Sequence, residues 1–294
     1  VACQRKVLQT SEAGAVGLYI GIPFCPTRCI YCSFPSNQGK EESIARYLPA
    51  LHREIVFVAE NMKRKGFYPE TVYIGGGTPT TLTAEQLDKL LSHTADVFDL
   101  RDLKEFTVEA GRPDTITAEK LKVLRKHHVD RISINPQSMN DHTMERIGRA
   151  HRPEDIVEAF RLAKDTGIPM INMDIIAGLP GEDEDDFAFT LESILGLAPE
   201  NITVHTLALK RASRLKEIDS EYNYNQGKRV RAMLDLSREM LDRNGYHPYY
   251  LYRQKQMTGN FENTGYAKGD TEGIYNIRIM EEAQTIIAQR TVKD

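Results

Sequence analysis

The stretch LYIGIPFCPTRCIYC, residues 18–32, decides the architecture and the chemistry of this chain. It begins with a short apolar run that predicts a buried β-strand, and it ends in a loop that carries Cys25, Cys29 and Cys32. Thiolates at spacings of four and three residues can bind one face of an iron–sulfur cluster and leave one iron without a protein ligand. The alternative is a zinc ion, which normally takes four protein ligands, and no fourth Cys or His follows closely.

The composition is that of a globular protein. The chain has 294 residues, 40% of them hydrophobic and 27% charged, enough for one large α/β domain or two small ones. Three of the four cysteines lie in one cluster, which indicates a metal site in a reducing compartment and predicts a cytoplasmic location; Cys3 is expected to be an ordinary thiol. A net charge of −4 predicts no nucleic-acid partner, and the absence of a long apolar run predicts no membrane span.

Working outward from residue 32, short β-rich runs alternate with helical periods. The predicted strands are residues 17–22, 71–74, 105–109, 130–135, 171–176 and 202–209. The predicted helices are residues 43–63, 83–98, 117–127, 142–147 and 153–166, one from about 184, and 229–244. Thr83 and Gln86 are spaced for a capping box. Six strand–helix units predict a parallel sheet, and because eight strands close a barrel of this type, we expect a partial (β/α)6 barrel.

The predicted domain organisation has three parts. Residues 1–16 form an N-terminal segment, 17–244 form the partial barrel, and 245–294 form a C-terminal extension packed on it.

The Cys-x-x-x-Cys-x-x-Cys triad is the signature of radical S-adenosylmethionine (radical SAM) proteins, and the residues around it resemble one family in particular. That family is the oxygen-independent coproporphyrinogen III oxidases (coproporphyrinogen dehydrogenases), and the resemblance covers residues 17–210. The motifs that carry it are LYIGIPFC (18–25), YIGGGTPT (73–80), VEAGRPDT (108–115), INPQSMND (134–141), IGRAHRPED (147–155), MDIIAGLPGE (173–182) and HTLALKRASR (205–214).

The resemblance implies a set of ligand-binding residues. A [4Fe–4S] cluster on Cys25, Cys29 and Cys32 is expected, with one or two SAM molecules. The residues implied to contact the cluster-bound SAM are Tyr19, Gly76, Gly77, Thr78 and Glu109. Those implied to touch a second SAM are Tyr31, Gln137, Arg149, Asp174 and Ala208. For Asp174 a structural ion pair with Arg149 remains an alternative, because a carboxylate inside an apolar strand needs a partner.

The resemblance also implies an activity, the anaerobic oxidative decarboxylation of coproporphyrinogen III to protoporphyrinogen IX in haem biosynthesis. A reduced cluster would cleave SAM, and the resulting radical would take hydrogen from a propionate side chain. The expected partners are the tetrapyrrole and a one-electron donor such as flavodoxin or ferredoxin.

One departure from the family pattern keeps two other functions open. The oxidases have a further cysteine where this chain has Phe34, and a Cys-x-Phe ending is shared with haem chaperones of the same family. Those chaperones carry a His-Asn-x-x-Tyr segment, whereas residues 260–266 here lack the histidine. We therefore interpret the chain as a divergent oxidase branch, with a haem chaperone and a radical SAM enzyme that opens or methylates haem as alternatives.

Cations after the strand ends suit a polycarboxylate substrate. Besides Arg149, they are Arg112, Arg152, Lys210, Arg211 and Arg214. Tyr252 and Arg253, in the aromatic segment after residue 245, complete the predicted substrate contacts.

Overall fold

The computed structural model describes residues 2–10, 12–32, 37–208, 227–253 and 261–289. The strands are β1 (Ala15–Ile22), β2 (Phe24–Cys25), β3 (Asn37–Gln38), β4 (Tyr68–Gly76), β5 (Glu105–Glu109), β6 (Arg131–Gln137), β7 (Met170–Ala177), β8 (Asn201–Thr206), β9 (Tyr246–Tyr252), β10 (Asn263–Lys268) and β11 (Ile286–Gln289).

Helices connect these strands. They are α1 (Ala2–Gln9), α2 (Glu41–Lys65), α3 (Ala84–Val97), α4 (Ala118–Lys126), α5 (Asp141–Arg146), α6 (Pro153–Asp165), α7 (Glu184–Leu197), α8 (Gly227–Arg243) and α9 (Ile274–Met280). The capping box predicted from Thr83 and Gln86 opens α3, with both of its reciprocal hydrogen bonds present.

One large sheet organises the chain. Its strand order is β11-β1-β4-β5-β6-β7-β8-β10-β9. The six central strands, β1 and β4 to β8, pair in parallel, which confirms the predicted partial barrel. Each matches a predicted strand to within about three residues at either end. β10 and β9 extend the sheet antiparallel beside β8, and β11 pairs in parallel with β1.

The two faces of the sheet differ in chemistry. In β1, Leu18, Ile20 and Ile22 are fully buried in the main hydrophobic core, which the surrounding helices complete. Tyr19 lies on the opposite face, because successive side chains of a strand alternate. The inward face therefore carries the polar and aromatic side chains.

Helix α9 lies at the end of the barrel where the parallel strands begin. Its first backbone N–H, at Ile274, donates to Glu105 Oε2 at 2.6 Å, and Glu105 is the first residue of β5. Arg278 pairs with Glu70 near the start of β4 at 3.1 Å, and both side chains are buried. With that end occupied, ligands can approach from the carboxyl ends of the strands.

Candidate functional site

The three clustered cysteines lie on a short segment beside the end of β1. β2 pairs with β3, and the backbone N–H of Gly39 donates to the carbonyl of Cys25 at 3.0 Å. The N–H of Cys32 donates to the carbonyl of Cys29 at 3.2 Å. Cys29 is buried, whereas Cys25 and Cys32 are partly accessible, and all three are free thiols. The backbone thus brings the thiols onto one loop.

Three free thiols on one loop are the donors that an iron–sulfur cluster takes. Each cysteine would bind a different iron, and one iron would keep no protein ligand. Within the described ranges, no group of three or more His, Cys, Asp or Glu side chains is arranged to hold one metal ion.

The glycine-rich end of β4 packs directly against the cysteine segment. The N–H groups of Gly77 and Thr78 donate to the carbonyls of Ile22 and Phe24 at 2.8 and 2.7 Å. A Cβ on Gly77 would lie 2.5 Å from the Phe24 oxygen and 3.0 Å from Cys25 Sγ. Only glycine fits at position 77, because the loop backbone lies directly against the cysteine segment there.

Glu109 lies at the end of β5, next to this loop. Its carboxylate accepts from the Tyr73 hydroxyl at 2.8 Å and from the N–H of Gly76 at 3.2 Å. Burial raises the pKa of Glu109 to about 7 against the effect of the Tyr73 hydrogen bond, and the nearby charge of Asp174 adds to the rise. Tyr19 stacks on Tyr73 with ring centroids 6.1 Å apart. A partly buried acid with no cation among its described partners suits an ammonium-bearing ligand.

Gln137 is the last residue of β6, and Arg149 follows α5. Arg149 donates to the Tyr31 hydroxyl at 3.2 Å and to the carbonyl of Asn135 at 2.5 Å. Gln137 adopts a left-handed φ of 69°, and its buried Oε1 has no hydrogen-bond partner among the described residues. The same holds for both ring nitrogens of buried His151. Such groups persist when a ligand or ordered water satisfies them.

Asp174 faces the interior and pairs with a histidine that the sequence analysis did not single out. His205 Nε2 lies 3.6 Å from Asp174 Oδ2, and the amide of Asn172 donates to Oδ1 at 2.7 Å. Burial acts to raise the pKa of Asp174, but the hydrogen bond and charge of His205 outweigh it and the pKa is lowered. Arg149 is not the partner, so the ion-pair alternative for Asp174 does not describe this structure.

His205 also contacts Tyr252, whose hydroxyl lies 3.5 Å from Nδ1. The structure thus joins a predicted SAM contact, Asp174, to a predicted substrate contact, Tyr252, through one imidazole. The signal in the sequence was alternation: Asn201, Thr203 and His205 alternate along β8 with buried Ile202 and Val204.

The remaining predicted residues are dispersed. Arg112 is buried and donates to Thr27 Oγ1 at 2.8 Å beside the cysteines. Arg152 is exposed at the start of α6, and Arg253 pairs with Glu262 at 2.7 Å. Ala208 is partly exposed just after β8. Lys210, Arg211, Arg214 and Phe34 lie outside the described residues.

Comparison with known proteins agrees with this geometry. Residues 19–194 match the Radical SAM superfamily. The chain is 47% identical over 275 residues to the oxygen-independent coproporphyrinogen-III oxidase-like protein HemZ of Bacillus subtilis, covering 92% of this chain and 55% of HemZ. It is 33% identical over 195 residues to the heme chaperone HemW of the same organism, covering 65% of this chain and 50% of HemW. The chain thus spans about half the length of these curated relatives.

A solved structure supports the fold. Coproporphyrinogen III oxidase (HemN) from Escherichia coli, described as a radical SAM enzyme, superposes with a TM-score of 0.78 at 23% identity, covering 97% of this chain and 65% of that one.

The chain belongs to the radical SAM superfamily. Members of this family bind a [4Fe–4S] cluster and SAM, which confirms the predicted cofactors. Within the family its relatives include both coproporphyrinogen oxidase-like proteins and haem chaperones, as the sequence motifs indicated. No helix of the described part of the chain is long and apolar enough to cross a membrane.

Proposed function

We propose that this protein catalyses the anaerobic oxidative decarboxylation of coproporphyrinogen III to protoporphyrinogen IX. The observation that carries the proposal is the similarity to an oxidase-like relative over nearly the whole chain. The site supports it through Glu109, a partly buried acid with no cation among its described partners, placed against the glycine loop that contacts the cysteine segment. A cation-free carboxylate at this place is what the amino group of SAM would require.

In this proposal each residue has a defined task. Cys25, Cys29 and Cys32 hold the cluster, and the glycine loop with Glu109 orients SAM. When bound, the cluster and SAM together supply hydrogen-atom abstraction, which the protein directs by positioning substrate and excluding water. A second group of residues is proposed to hold a second SAM or the tetrapyrrole: Tyr31, Gln137, Arg149, Asp174 and Ala208.

The proposed substrate carries carboxylates, and the proposed contacts include cations. We assign to the propionates Arg152, the cations at positions 210, 211 and 214, and Tyr252 with Arg253. A reduced flavodoxin or ferredoxin is the proposed electron donor. The proposed compartment is the cytoplasm, because three free thiols need reducing conditions to remain available for a cluster.

A haem chaperone is the second candidate, because the relatives that carry that name share about a third of the aligned residues with this chain. A chaperone would hold haem without consuming SAM in step with it. A radical SAM enzyme that modifies or opens haem would consume SAM with haem as its substrate.

One anaerobic incubation separates the three. Reconstituted protein is mixed with dithionite, SAM and coproporphyrinogen III or haem, and 5′-deoxyadenosine, carbon dioxide and porphyrins are measured. The oxidase predicts vinyl formation with about two deoxyadenosines per protoporphyrinogen. Haem binding without vinyl formation would favour the chaperone, and SAM cleavage only with haem would favour the modifying enzyme. Cys29→Ala should abolish all turnover, whereas Cys3→Ala should not change it.

A further inference from the structure

Arg112 contacts the sulfur of a cluster-binding cysteine. Its Nη1 lies 3.9 Å from Cys29 Sγ and donates to Thr27 Oγ1 at 2.8 Å. Arg112 is 3% exposed and Cys29 is 9% exposed, so little water screens the two. A guanidinium buried against a ligand sulfur acts on the charge of whatever that sulfur binds.

The guanidinium of Arg112 is held in this orientation by Asp114. The two carboxylate oxygens of Asp114 accept from Nε and Nη2, each at 3.0 Å, which leaves Nη1 for Thr27 and Cys29. Such a two-point contact restricts the rotation of the planar group. Arg149 adds a second guanidinium nearby, since it donates to the hydroxyl of Tyr31, two residues along the chain from Cys29.

We propose that Arg112 raises the reduction potential of the cluster bound by Cys25, Cys29 and Cys32, and that Asp114 limits this effect. Reduction adds one negative charge to the cluster, and both hydrogen bonds to ligand sulfur and nearby positive charge stabilise that charge. Arg112 provides both at the sulfur of Cys29, and Arg149 adds positive charge nearby. The negative charge of the Asp114 carboxylate destabilises the reduced cluster, while its hydrogen bonds orient Arg112.

This inference assigns Arg112 a positioning role at the cluster, in addition to the substrate contact predicted from its place after β5. It rests on the cluster of the radical SAM family and holds for any substrate. If the protein binds haem without oxidising a porphyrinogen, the proposed function fails and this inference is unaffected.

The test is a redox titration followed by electron paramagnetic resonance, on reconstituted protein without SAM or substrate. Arg112→Gln should shift the midpoint potential to more negative values, because it removes the positive charge and the donor. Asp114→Asn should shift it to more positive values, because it removes a negative charge and keeps Arg112. Arg101→Gln is the matched control: Arg101 makes a similar contact to Asp99 on the surface and should not shift the potential.

The opposite signs distinguish electrostatic tuning from loosened packing, which would move both variants in one direction. Equal potentials in Arg112→Gln and wild type, with iron content preserved, would overturn the proposal. So would a negative shift in Asp114→Asn. If Arg112→Gln assembles no cluster, Asp114→Asn decides alone. Arg112→Lys keeps the positive charge and should then restore cluster assembly.

Discussion

Replacing Glu109 by Gln should stabilise the SAM-free protein, and the gain should increase with pH. The pKa of Glu109 rises from its ordinary value of 4.5 to about 7 on folding, chiefly because of burial. At about 1.4 kcal/mol per pH unit, that rise is worth about 3 kcal/mol. The side chain keeps partial access to solvent, so this value is an upper limit.

The direction follows from proton binding. Below pH 4.5 the carboxyl group is protonated in both states, and folding carries no penalty from it. Between pH 4.5 and 7 the unfolded chain loses the proton while the folded protein keeps it, so stability falls as pH rises, and the full penalty applies above pH 7.

Glutamine avoids this penalty and fits the same contacts. Its carbonyl oxygen can accept from the N–H of Gly76, and its amide can donate to the Tyr73 hydroxyl, which either donates or accepts. Between pH 6 and pH 8 we expect the stability difference between Glu109→Gln and wild type to grow by about 1 kcal/mol.

The assay is anaerobic urea denaturation of cluster-loaded protein at pH 6, 7 and 8, with and without SAM. Added SAM should stabilise wild type far more than Glu109→Gln, because the variant lacks the charge proposed to meet the ammonium group. A stability difference that does not change with pH, or a less stable variant at pH 8, would refute the assignment of Glu109 as a buried acid without a cation.

Two further changes test the packing around the site. Gly77→Ala should lower the free energy of unfolding by about 1–3 kcal/mol and lower the iron content after reconstitution. The reason is that the added Cβ would lie 2.5 Å from a backbone oxygen and 3.0 Å from Cys25 Sγ. Gly196→Ala is the control: it has open space around it and should lose neither stability nor iron. Arg278→Met should cost about 1–3 kcal/mol in urea denaturation, because buried Glu70 is then left with Lys104 and Gln284 as its remaining partners. Glu70→Gln in the same chain should recover part of that loss; no recovery would argue against a direct pair.

Local sequence patterns determined the repeating part of the fold. Each parallel strand is a short apolar run and each following helix has its own period, and some have a cap, such as the Thr83 box of α3. These signals lie within about fifteen residues, and six repeats of them admit few arrangements other than a parallel sheet with helices outside. The spacing of the cysteines likewise indicated a cluster, because neighbours on one loop determine that donor set.

Only the tertiary structure decided which distant groups meet. Arg112 and Arg149 both follow strand ends, where the sequence predicts a substrate rim, but loop packing turns Arg112 toward Cys29 and Arg149 toward Tyr31 on the same cysteine loop. Asp174 needed a partner, and the sequence could not say whether it was Arg149 or His205, since that depends on which strands lie side by side. Contacts between residues far apart in the chain depend on strand order and side-chain direction, and no local pattern of residues encodes either one alone.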